Sequence, residues 1–298
     1  MDTKDIEYFE VVYNERSINK AAQKLFITPQ GLGRIIRKLE SEVGQSLFER
    51  TAHGIIPTEN GIIFHRRSAE ISRKLHALQK EMDSAGNNEK HLKIGFANGI
   101  LRALPLDLIN SFKKKHPEID VEWVEYSNEA VKDKLNNSEI DYGFTIGVSA
   151  NSNFTQKLIR SIPIVILSFA GHYYYDLPKI SLDMLKDEPV IIMNEHFQMY
   201  HDFIKACRLQ GFFPNIAVRT ADAGTLIGLC VQGAGLGISP DFSDKKLIHS
   251  VLSFPPEIHV LQIEGSPMWD IYCAYNSDYA RDDITLTFDR HVKSYPLK

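Results

Sequence analysis

Cysteine is scarce in this sequence, which has three in 298 residues: Cys207, Cys230 and Cys273. Their number is odd, they lie far apart, and none belongs to a CxxC pair. Disulfide-stabilised folds carry an even number of cysteines, and structural zinc sites carry closely spaced pairs. Neither class of protein is therefore indicated, and we interpret the three residues as small buried hydrophobic side chains.

Long apolar runs are also missing, since no stretch approaches the ~20 residues that a membrane-spanning helix requires. The first ten residues, MDTKDIEYFE, are acidic where a secretory signal peptide would be basic and then apolar. We therefore expect a cytoplasmic protein without a membrane partner.

Motifs for catalysis and cofactor binding are missing as well. The sequence has neither a Walker loop nor a GxSxG elbow, and HFQMYH (196–201) lacks the spacing and the glutamate of a zinc-protease helix. The glycines of QGAGLGISP (232–240) follow a predicted helix and open a predicted strand, which is the reverse of a dinucleotide-binding loop. We therefore predict no enzyme activity, no cofactor and no metal.

What the sequence does have is a basic segment near its start. Residues 17–39 carry five basic side chains and no acid, although the whole chain has 38 acidic and 34 basic residues. Apolar residues at three-to-four spacing predict three helices in the first 43 residues. Thr28 and Pro29 form a strong start signal for the third helix, and Gly44 is a typical helix end. These are the elements of a helix-turn-helix.

The third helix has two distinct faces. Four apolar residues recur at helical spacing and are expected in the core: Leu32, Ile36, Leu39 and Val43. The opposite face carries amide and guanidinium groups, which suit base edges and phosphates in the major groove. We predict base readout by Gln30 and Arg34. The whole predicted DNA-binding site is Thr28, Pro29, Gln30, Gly33, Arg34, Arg37, Lys38, Arg50 and His53.

Gly31 and Gly33 are unusual inside a helix, because each glycine costs roughly 1 kcal/mol relative to alanine. We interpret them as allowing close approach of the backbone to DNA. The alternative is a solvated basic face on an ordinary helical bundle.

The residues after this helix predict a wing and a long helix. Short β-type runs around residues 52–54 favour a two-stranded hairpin, with Arg50 and His53 near its tip. A helix is predicted from Glu59 to Ser84, and its apolar stripe has too little of its own chain to cover it. We therefore expect a partner chain's equivalent helix to pack on it, through Ile71, Leu75 and Leu78.

At this point the chain resembles a known family, the LysR-type transcriptional regulators. The run SINKAAQKL…IRKLE…VGQSLFER is similar to that family's winged helix-turn-helix signature in residue type and spacing. The chain differs where TPQGLG (28–33) replaces the family's usual Ser-Gln-Pro-Ala-Leu-Ser, and where His53 replaces its usual Arg or Lys. These differences concern base preference rather than DNA binding.

After the polar segment GNNEKH (86–91), the pattern changes to strands alternating with helices, which favours mainly parallel sheets. The resemblance implies a periplasmic-binding-protein-like pair of lobes crossed twice by the chain. The expected fold is α/β, with a winged helix-turn-helix at 1–58, a dimerisation linker helix and hinge at 59–90, and a two-lobed effector-binding domain at 91–298. Lobe I would span about 91–164 and 267–298, and lobe II about 165–266.

Ligands of open α/β sheets bind beyond the carboxyl ends of the strands. The hydrogen-bonding side chains predicted there, at the starts of helices, form our candidate effector site: Asn98, Ser127, Asn128, Asn194, His196 and Thr220. Helix N-termini favour anions, whereas Glu129, Glu195 and Asp222 in the same loops oppose them. The resemblance also implies a small, often anionic metabolite. A plain capping role is the alternative for each of the six.

The sequence thus predicts a DNA-binding transcriptional regulator of LysR type. A small-molecule effector between the lobes would modulate DNA binding or bending by a homodimer or homotetramer. Two alternatives stay open: a solute-binding protein, or an enzyme on the same two-lobed scaffold. The first ninety residues argue against a solute-binding protein. The sequence shows no pairing of a catalytic nucleophile with a general base and no cofactor loop, which argues against an enzyme.

Overall fold

The computed structural model describes residues 1–51, 54–86, 90–105, 107–149, 154–243, 254–277 and 283–296. The chain forms two compact units, residues 1–86 and 87–298. Within the described residues, no helix is both long enough and apolar enough to cross a membrane.

The elements of the N-terminal unit are α1 (Thr3–Glu15), α2 (Ile18–Lys24), α3 (Pro29–Val43), β1 (Phe48–Thr51), β2 (Gly54–Pro57) and α4 (Glu59–Gly86). Side-chain caps fix where the first three helices begin, because each cap satisfies a backbone N–H that has no partner in its own helix. The capping oxygens of Asp2, Ser17 and Thr28 accept from backbone N–H groups at 2.9, 3.4 and 3.1 Å. Gly44, with φ +74°, ends α3 as predicted.

A small apolar core holds the first three helices and the start of the wing together: Phe9, Val12, Ala21, Ala22, Leu32, Ile36, Leu39 and Leu47. Three of the four apolar residues predicted to point inward from α3 are among them. The fourth prediction is wrong, because Val43 is 38% exposed. Leu39 is the last buried residue of α3, so the final turn extends beyond the contact with its neighbours.

The predicted wing is present as an antiparallel pair of strands, with Phe48 opposite Pro57 and Thr51 opposite Gly54. It is anchored on the end of α1, where Ile55 N donates to Arg16 O at 3.1 Å. Gly54 has φ +131°, and a Cβ there would lie 2.8 Å from the Arg16 carbonyl oxygen. Only glycine fits both the backbone angle and this close approach.

Helix α4 has 28 residues and is about 42 Å long at 1.5 Å per residue. It docks on α1 through a polar cluster around Glu10. That carboxylate accepts from Ser68 Oγ at 2.7 Å and lies 2.6 Å from His65 Nδ1. The His65 ring stacks on Tyr13 with centroids 3.9 Å apart.

The C-terminal unit is a mixed α/β structure. Its strands are β3 (Lys90–Ala97), β4 (Ile119–Tyr126), β5 (Tyr142–Ile146), β6 (Phe154–Phe169), β7 (Lys179–Ile180), β8 (Pro189–Met193), β9 (Asn215–Thr220), β10 (Leu236–Pro240), β11 (Ile258–Ile263) and β12 (Met268–Asn276). Its helices are α5 (Asp107–Lys115), α6 (Asn128–Asn136), α7 (Gln198–Leu209), α8 (Ala223–Val231) and α9 (Asp283–Ser294), with 3-10 turns at Ile100–Arg102 and Leu182–Leu185.

The strands form two lobes joined by one long strand. The order is β4-β3-β5-β12-β6-β10-β8-β9, and β11 pairs with β6 and β7. Strand β6 pairs with β12 as far as Pro163, in lobe I, and with β10 and β11 from Ile164 onward, in lobe II. The predicted two-lobed α/β fold is confirmed.

The expectation of mainly parallel strands holds only for part of each lobe. The pairs β3/β4, β3/β5, β8/β9 and β8/β10 are parallel. The pairs β6/β10, β6/β11, β6/β12 and β5/β12 are antiparallel. Strands β6 and β12 carry the chain between the lobes and back, so they run against the strands beside them.

The amphipathic pattern of residues 104–116 predicts a helix there, but α5 begins later, at Asp107. Pro105 disfavours helical backbone at the residue before it, so the chain makes a 3-10 turn at Ile100–Arg102 first. The first half of β6 and all of β7 and β11 were not predicted.

All three cysteines are buried and free, as the sequence suggested. Burial raises the pKa of the Cys207 and Cys230 thiols to about 12. These thiols are therefore uncharged side chains of the apolar core.

Candidate functional site

The exposed face of α3 is the candidate nucleic-acid interface. Its buried face carries Leu32, Ile36 and Leu39, which fixes the orientation of the helix on the core. The other face exposes the predicted contact residues Thr28, Pro29, Gln30, Arg34, Arg37 and Lys38. A single exposed face therefore presents an amide, two guanidinium groups and an ammonium group.

The charges on this face differ in how they are paired. Lys38 Nζ lies 3.6 Å from Glu42 Oε1, an exposed pair one helical turn apart. Such surface pairs contribute little, so a phosphate could replace the carboxylate at small cost. Among the described residues, no carboxylate lies within ion-pair distance of Arg34 or Arg37. Both guanidinium groups are available to a ligand.

The two glycines of α3 have different surroundings. A Cβ on Gly31 would lie 3.0 Å from Thr28 Oγ1, so glycine at this position accommodates the helix cap. A Cβ on Gly33 would meet only the flexible end of Arg37, at 3.9 Å. Gly33 is buried rather than exposed, and the Arg37 side chain lies beside it. The fold therefore explains Gly31, while close approach to DNA stays a prediction for Gly33.

The wing contributes less to the described site. Arg50 lies in β1 opposite Ile55 of β2. His53, predicted near the tip, lies outside the described residues.

Sequence reasoning missed Phe26, in the turn between α2 and α3. Its side chain is 96% exposed, and its backbone is left-handed with φ +54°. An exposed phenylalanine in this conformation combines an unburied ring with backbone strain. The signal was available, because this aromatic residue stands in a turn where glycine or asparagine is usual.

The apolar stripe of α4 is the candidate dimer surface. Ile71 is 48% exposed and Leu78 is 53% exposed, while Leu75 is partly buried. Ile62, Ile63 and Met82 on the same helix are also exposed. Burying such side chains is favourable, so the stripe suits a partner.

The candidate effector cleft lies where the carboxyl ends of the strands of both lobes meet. The contacts between the lobes there include a hydrogen bond and a stacked guanidinium. Asn128 Nδ2 of lobe I donates to Gln198 Oε1 of lobe II at 3.2 Å. The guanidinium of Arg102, in lobe I, lies over the Phe242 ring of lobe II, 4.9 Å from its centroid.

The predicted effector residues of lobe I have mainly structural contacts. Ser127 caps α6 by accepting from Ala130 N at 3.3 Å. Asn128 is buried and exchanges two hydrogen bonds with the Ile146 backbone, at 2.8 and 2.9 Å. Asn98 was expected to begin an α-helix, and this is wrong, because it precedes only the 3-10 turn. Its backbone N–H donates to Tyr126 O at 2.8 Å.

The predicted residues of lobe II are also engaged locally. Asn194 Oδ1 accepts from His196 N at 3.1 Å, and the residue His196 is itself exposed. Thr220 Oγ1 accepts from Asp222 N at 3.1 Å, and Asp222 in turn caps α8. Capping and turn formation thus account for most contacts of these side chains.

Other cleft residues were missed by the sequence reasoning. Gln198 Nε2 donates to Asp202 Oδ1 at 3.0 Å, which extends the contact between the lobes into α7. Burial raises the pKa of Asp202 above its ordinary value. Arg102 could have been found, because it is the sole charged residue in the run GILRALPL (99–106), just after a predicted strand.

Comparison with known proteins agrees with this arrangement. The model of the LysR substrate binding domain matches residues 85–294, and that of bacterial regulatory helix-turn-helix proteins of the lysR family matches residues 3–62. The HTH-type transcriptional regulator AlsR of Bacillus subtilis is 28% identical over 93% of this chain and 91% of its own length.

Solved structures share the fold. Full-length OxyR from Pseudomonas aeruginosa superimposes with a TM-score of 0.58 at 19% identity, covering 98% of this chain and 99% of its own. Full-length CbnR complexed with its target DNA gives a TM-score of 0.54 at 20% identity, covering 98% and 99%. With family models matching both units, the chain belongs to the LysR family of DNA-binding transcriptional regulators, with a winged helix-turn-helix and an effector-binding domain.

Proposed function

We propose that α3 enters the major groove and that Gln30 and Arg34 read base edges there. Arg37, Lys38 and Arg50 bind phosphates, while Thr28, Pro29, Gly33 and His53 complete the contact surface. The observation that carries this proposal is the exposed α3 face, on which Arg34 and Arg37 lack carboxylate partners among the described residues. Arginine donates two parallel hydrogen bonds to guanine O6 and N7, which makes it the commonest specific base contact.

We further propose that the protein acts in the bacterial cytoplasm as a homodimer or homotetramer joined through α4. Two linked recognition helices bind two half-sites together, which raises affinity without new contacts. The uncovered stripe with Ile71, Leu75 and Leu78 supports this assembly.

The cleft between the lobes is the proposed effector site, formed by Asn98, Ser127, Asn128, Asn194, His196 and Thr220 together with residues that contact across the lobes. A ligand bound to both lobes favours the lobe arrangement that it fits best. That shift changes how the oligomer holds or bends DNA.

Binding of the full chain to DNA flanking its own gene tests the base-reading assignment. Arg34→Ala should reduce the preference for that DNA over random DNA by ~1–3 kcal/mol, because one bidentate base contact is lost. Lys38→Ala should weaken both DNAs alike and make the salt dependence shallower by ~1 unit, as the loss of one phosphate contact does.

Lys186→Ala is the matched control, since it removes one exposed charge from the C-terminal unit. It should leave affinity, preference and salt slope unchanged. If Arg34→Ala lowered the affinity for both DNAs equally, Arg34 would be a phosphate contact and the base-reading role would be wrong.

A further inference from the structure

The joint between α1 and α4 combines an apolar contact with a polar one. In the apolar contact, the ring of Phe64 in α4 packs edge-to-face on Phe9 of α1, with centroids 4.6 Å apart. In the polar contact, the Glu10 carboxylate of α1 meets His65 and Ser68 of α4. Apolar contacts are not directional, whereas hydrogen bonds are. The polar contact is therefore the one that can specify an angle between the two helices.

Both oxygens of this carboxylate take part. Glu10 Oε1 accepts from Ser68 Oγ at 2.7 Å, and Glu10 Oε2 lies 2.6 Å from His65 Nδ1. His65 and Ser68 are three residues apart in the sequence, so they lie on one face of α4, about one turn from each other. Two points of attachment one turn apart restrict both the tilt of α4 on α1 and its rotation about its own axis.

The surroundings of Glu10 make this attachment hard to replace. Ser68 is buried, and Glu10 and His65 are partly buried. Among the described residues, no lysine or arginine lies within ion-pair distance of Glu10. The carboxylate depends on α4 for its hydrogen bonds, and losing them in a partly buried position would be unfavourable.

The cluster also reaches the wing. The His65 ring stacks on Tyr13, and the Arg16 guanidinium lies over that Tyr13 ring, 4.3 Å from its centroid. The Arg16 carbonyl oxygen accepts from Ile55 N of β2 at 3.1 Å. Neighbouring contacts thus join α4, the end of α1 and the wing, so a tilt at this joint turns the DNA-binding unit as a whole.

The place of the joint along α4 gives it leverage over DNA. The DNA-binding unit contacts α4 near its start, whereas the proposed contact with a second copy lies further along, at Ile71, Leu75 and Leu78. Glu59, the first residue of α4, and Leu75 are ~24 Å apart at 1.5 Å per residue. A tilt of ~10° over that length displaces each DNA-binding unit by ~4 Å, about one base pair.

We propose that Glu10 is a positioning residue for DNA recognition: through His65 and Ser68 it sets the angle between α4 and the winged helix-turn-helix, and so selects the half-site spacing that the dimer accepts. The proposal rests on the assembly through α4 proposed above and adds what determines its spacing. A dimer gains effective concentration only where both recognition helices reach their half-sites at once. A fixed angle confines that gain to one spacing.

Titration of the full chain with a spacing series of DNA tests this proposal. The series consists of the duplex that the protein protects beside its own gene, the same duplex with one to four base pairs added or removed between its halves, and a single half. Glu10→Leu has a similar size but removes both acceptors, while Ser68 keeps an acceptor in the His65 carbonyl at 3.1 Å.

We expect Glu10→Leu to bind the single half as the parent does. Its preference for the natural spacing over a spacing changed by two base pairs should fall about fivefold, because the angle is no longer fixed. Glu10→Gln keeps an acceptor for Ser68 and should retain most of the preference. Ser68→Ala removes one attachment point from α4 and should lower the preference less than Glu10→Leu does; it decides the question if Glu10→Leu fails to fold.

Glu7→Leu is the matched control, because it makes the same exchange at an exposed acid of α1. It should keep the spacing profile of the parent. An unchanged profile in both Glu10→Leu and Ser68→Ala would overturn the proposal. An equal loss of affinity on every spacing and on the single half would also overturn it, because a merely structural role predicts that result.

Sedimentation equilibrium of the same preparations separates this failure from failure of the proposed function. A parent chain that sedimented as a monomer, or bound the single half as tightly as the pair, would refute the assembly through α4 and this proposal with it. A dimeric parent with a sharp spacing optimum that Glu10→Leu retained would leave the assembly intact and refute only the role of Glu10.

Discussion

Phe26 combines a left-handed backbone with an exposed aromatic ring. A non-glycine residue with φ +54° carries strain, and here 96% exposure of the ring offers no burial in return. Asparagine tolerates left-handed backbone better than phenylalanine does. We therefore expect Phe26→Asn to raise the free energy of unfolding of the N-terminal unit by about 0.5–1 kcal/mol. Urea denaturation of the full chain measures this change.

Phe213→Asn is the control for Phe26, because it makes the same exchange at an exposed site whose φ is not positive. It should not stabilise the protein. If Phe26→Asn raised stability but weakened binding to all DNA, the strained ring would be a DNA contact, since strain is often retained at functional positions. A loss of stability would show that the exposed ring is needed by the fold.

At the scale of the elements, the N-terminal unit was predictable because its signals are local. Thr28 and Pro29 mark the start of α3, Gly44 marks its end, and the apolar spacing between them gives the buried face. Val43 follows the same spacing but is exposed, because periodicity shows which face a residue occupies and not where the neighbouring helices end.

The cleft was less predictable, because its contacts join residues far apart in the sequence. Asn128 meets Gln198, 70 residues away, and Arg102 meets Phe242 from the other lobe. Capping residues such as Ser127 were recognised by type, yet the same chemistry serves helix starts and ligands alike. The first half of β6 was missed because its polar side chains resemble a loop until its partner β12 is known.

Asp202 accepts from Gln198, which in turn contacts Asn128 of α6. This carboxyl should make the free energy of unfolding depend on pH. Burial raises the pKa of this carboxyl above its ordinary value of 3.8. The folded state therefore holds the proton more tightly than the unfolded state does. The resulting stabilisation is complete below the ordinary pKa and is lost as the pH rises through the folded pKa.

Asp202→Asn should consequently be more stable than the parent at neutral pH, because it keeps an acceptor for Gln198 without the buried charge. The difference should shrink as the pH falls toward 3.8, as measured by urea midpoints across the acid range. Asp187→Asn, at an exposed position, is the control and should show no such trend. A less stable Asp202→Asn at neutral pH would mean that the ionised carboxylate holds the lobes together.

At the scale of the whole molecule, the family fold followed from the sequence, but the ligand did not. Alternating strands and helices indicated two α/β lobes, and the basic helix-turn-helix indicated DNA. The six hydrogen-bonding residues predicted for the cleft are compatible with many neutral or anionic ligands. The contact between Arg102 and Phe242 becomes visible only when both lobes are assembled.

Assembly of the regulator should depend on the stripe of α4. Replacing Ile71 and Leu75 together by aspartate places charges where apolar side chains would be buried against a second copy, so the subunits should separate. Monomers bind half-sites one at a time and lose the effective-concentration gain of ~10²–10⁴ in DNA affinity. Sedimentation equilibrium and DNA titration of the same preparations measure both effects, and effector-domain melting checks that the fold is intact.

The exchange Ile71→Leu with Leu75→Ile keeps the stripe apolar and should preserve the oligomer. If the aspartate variant sedimented as an intact oligomer, the interface would lie on another face, because two buried charges at its centre could not be tolerated.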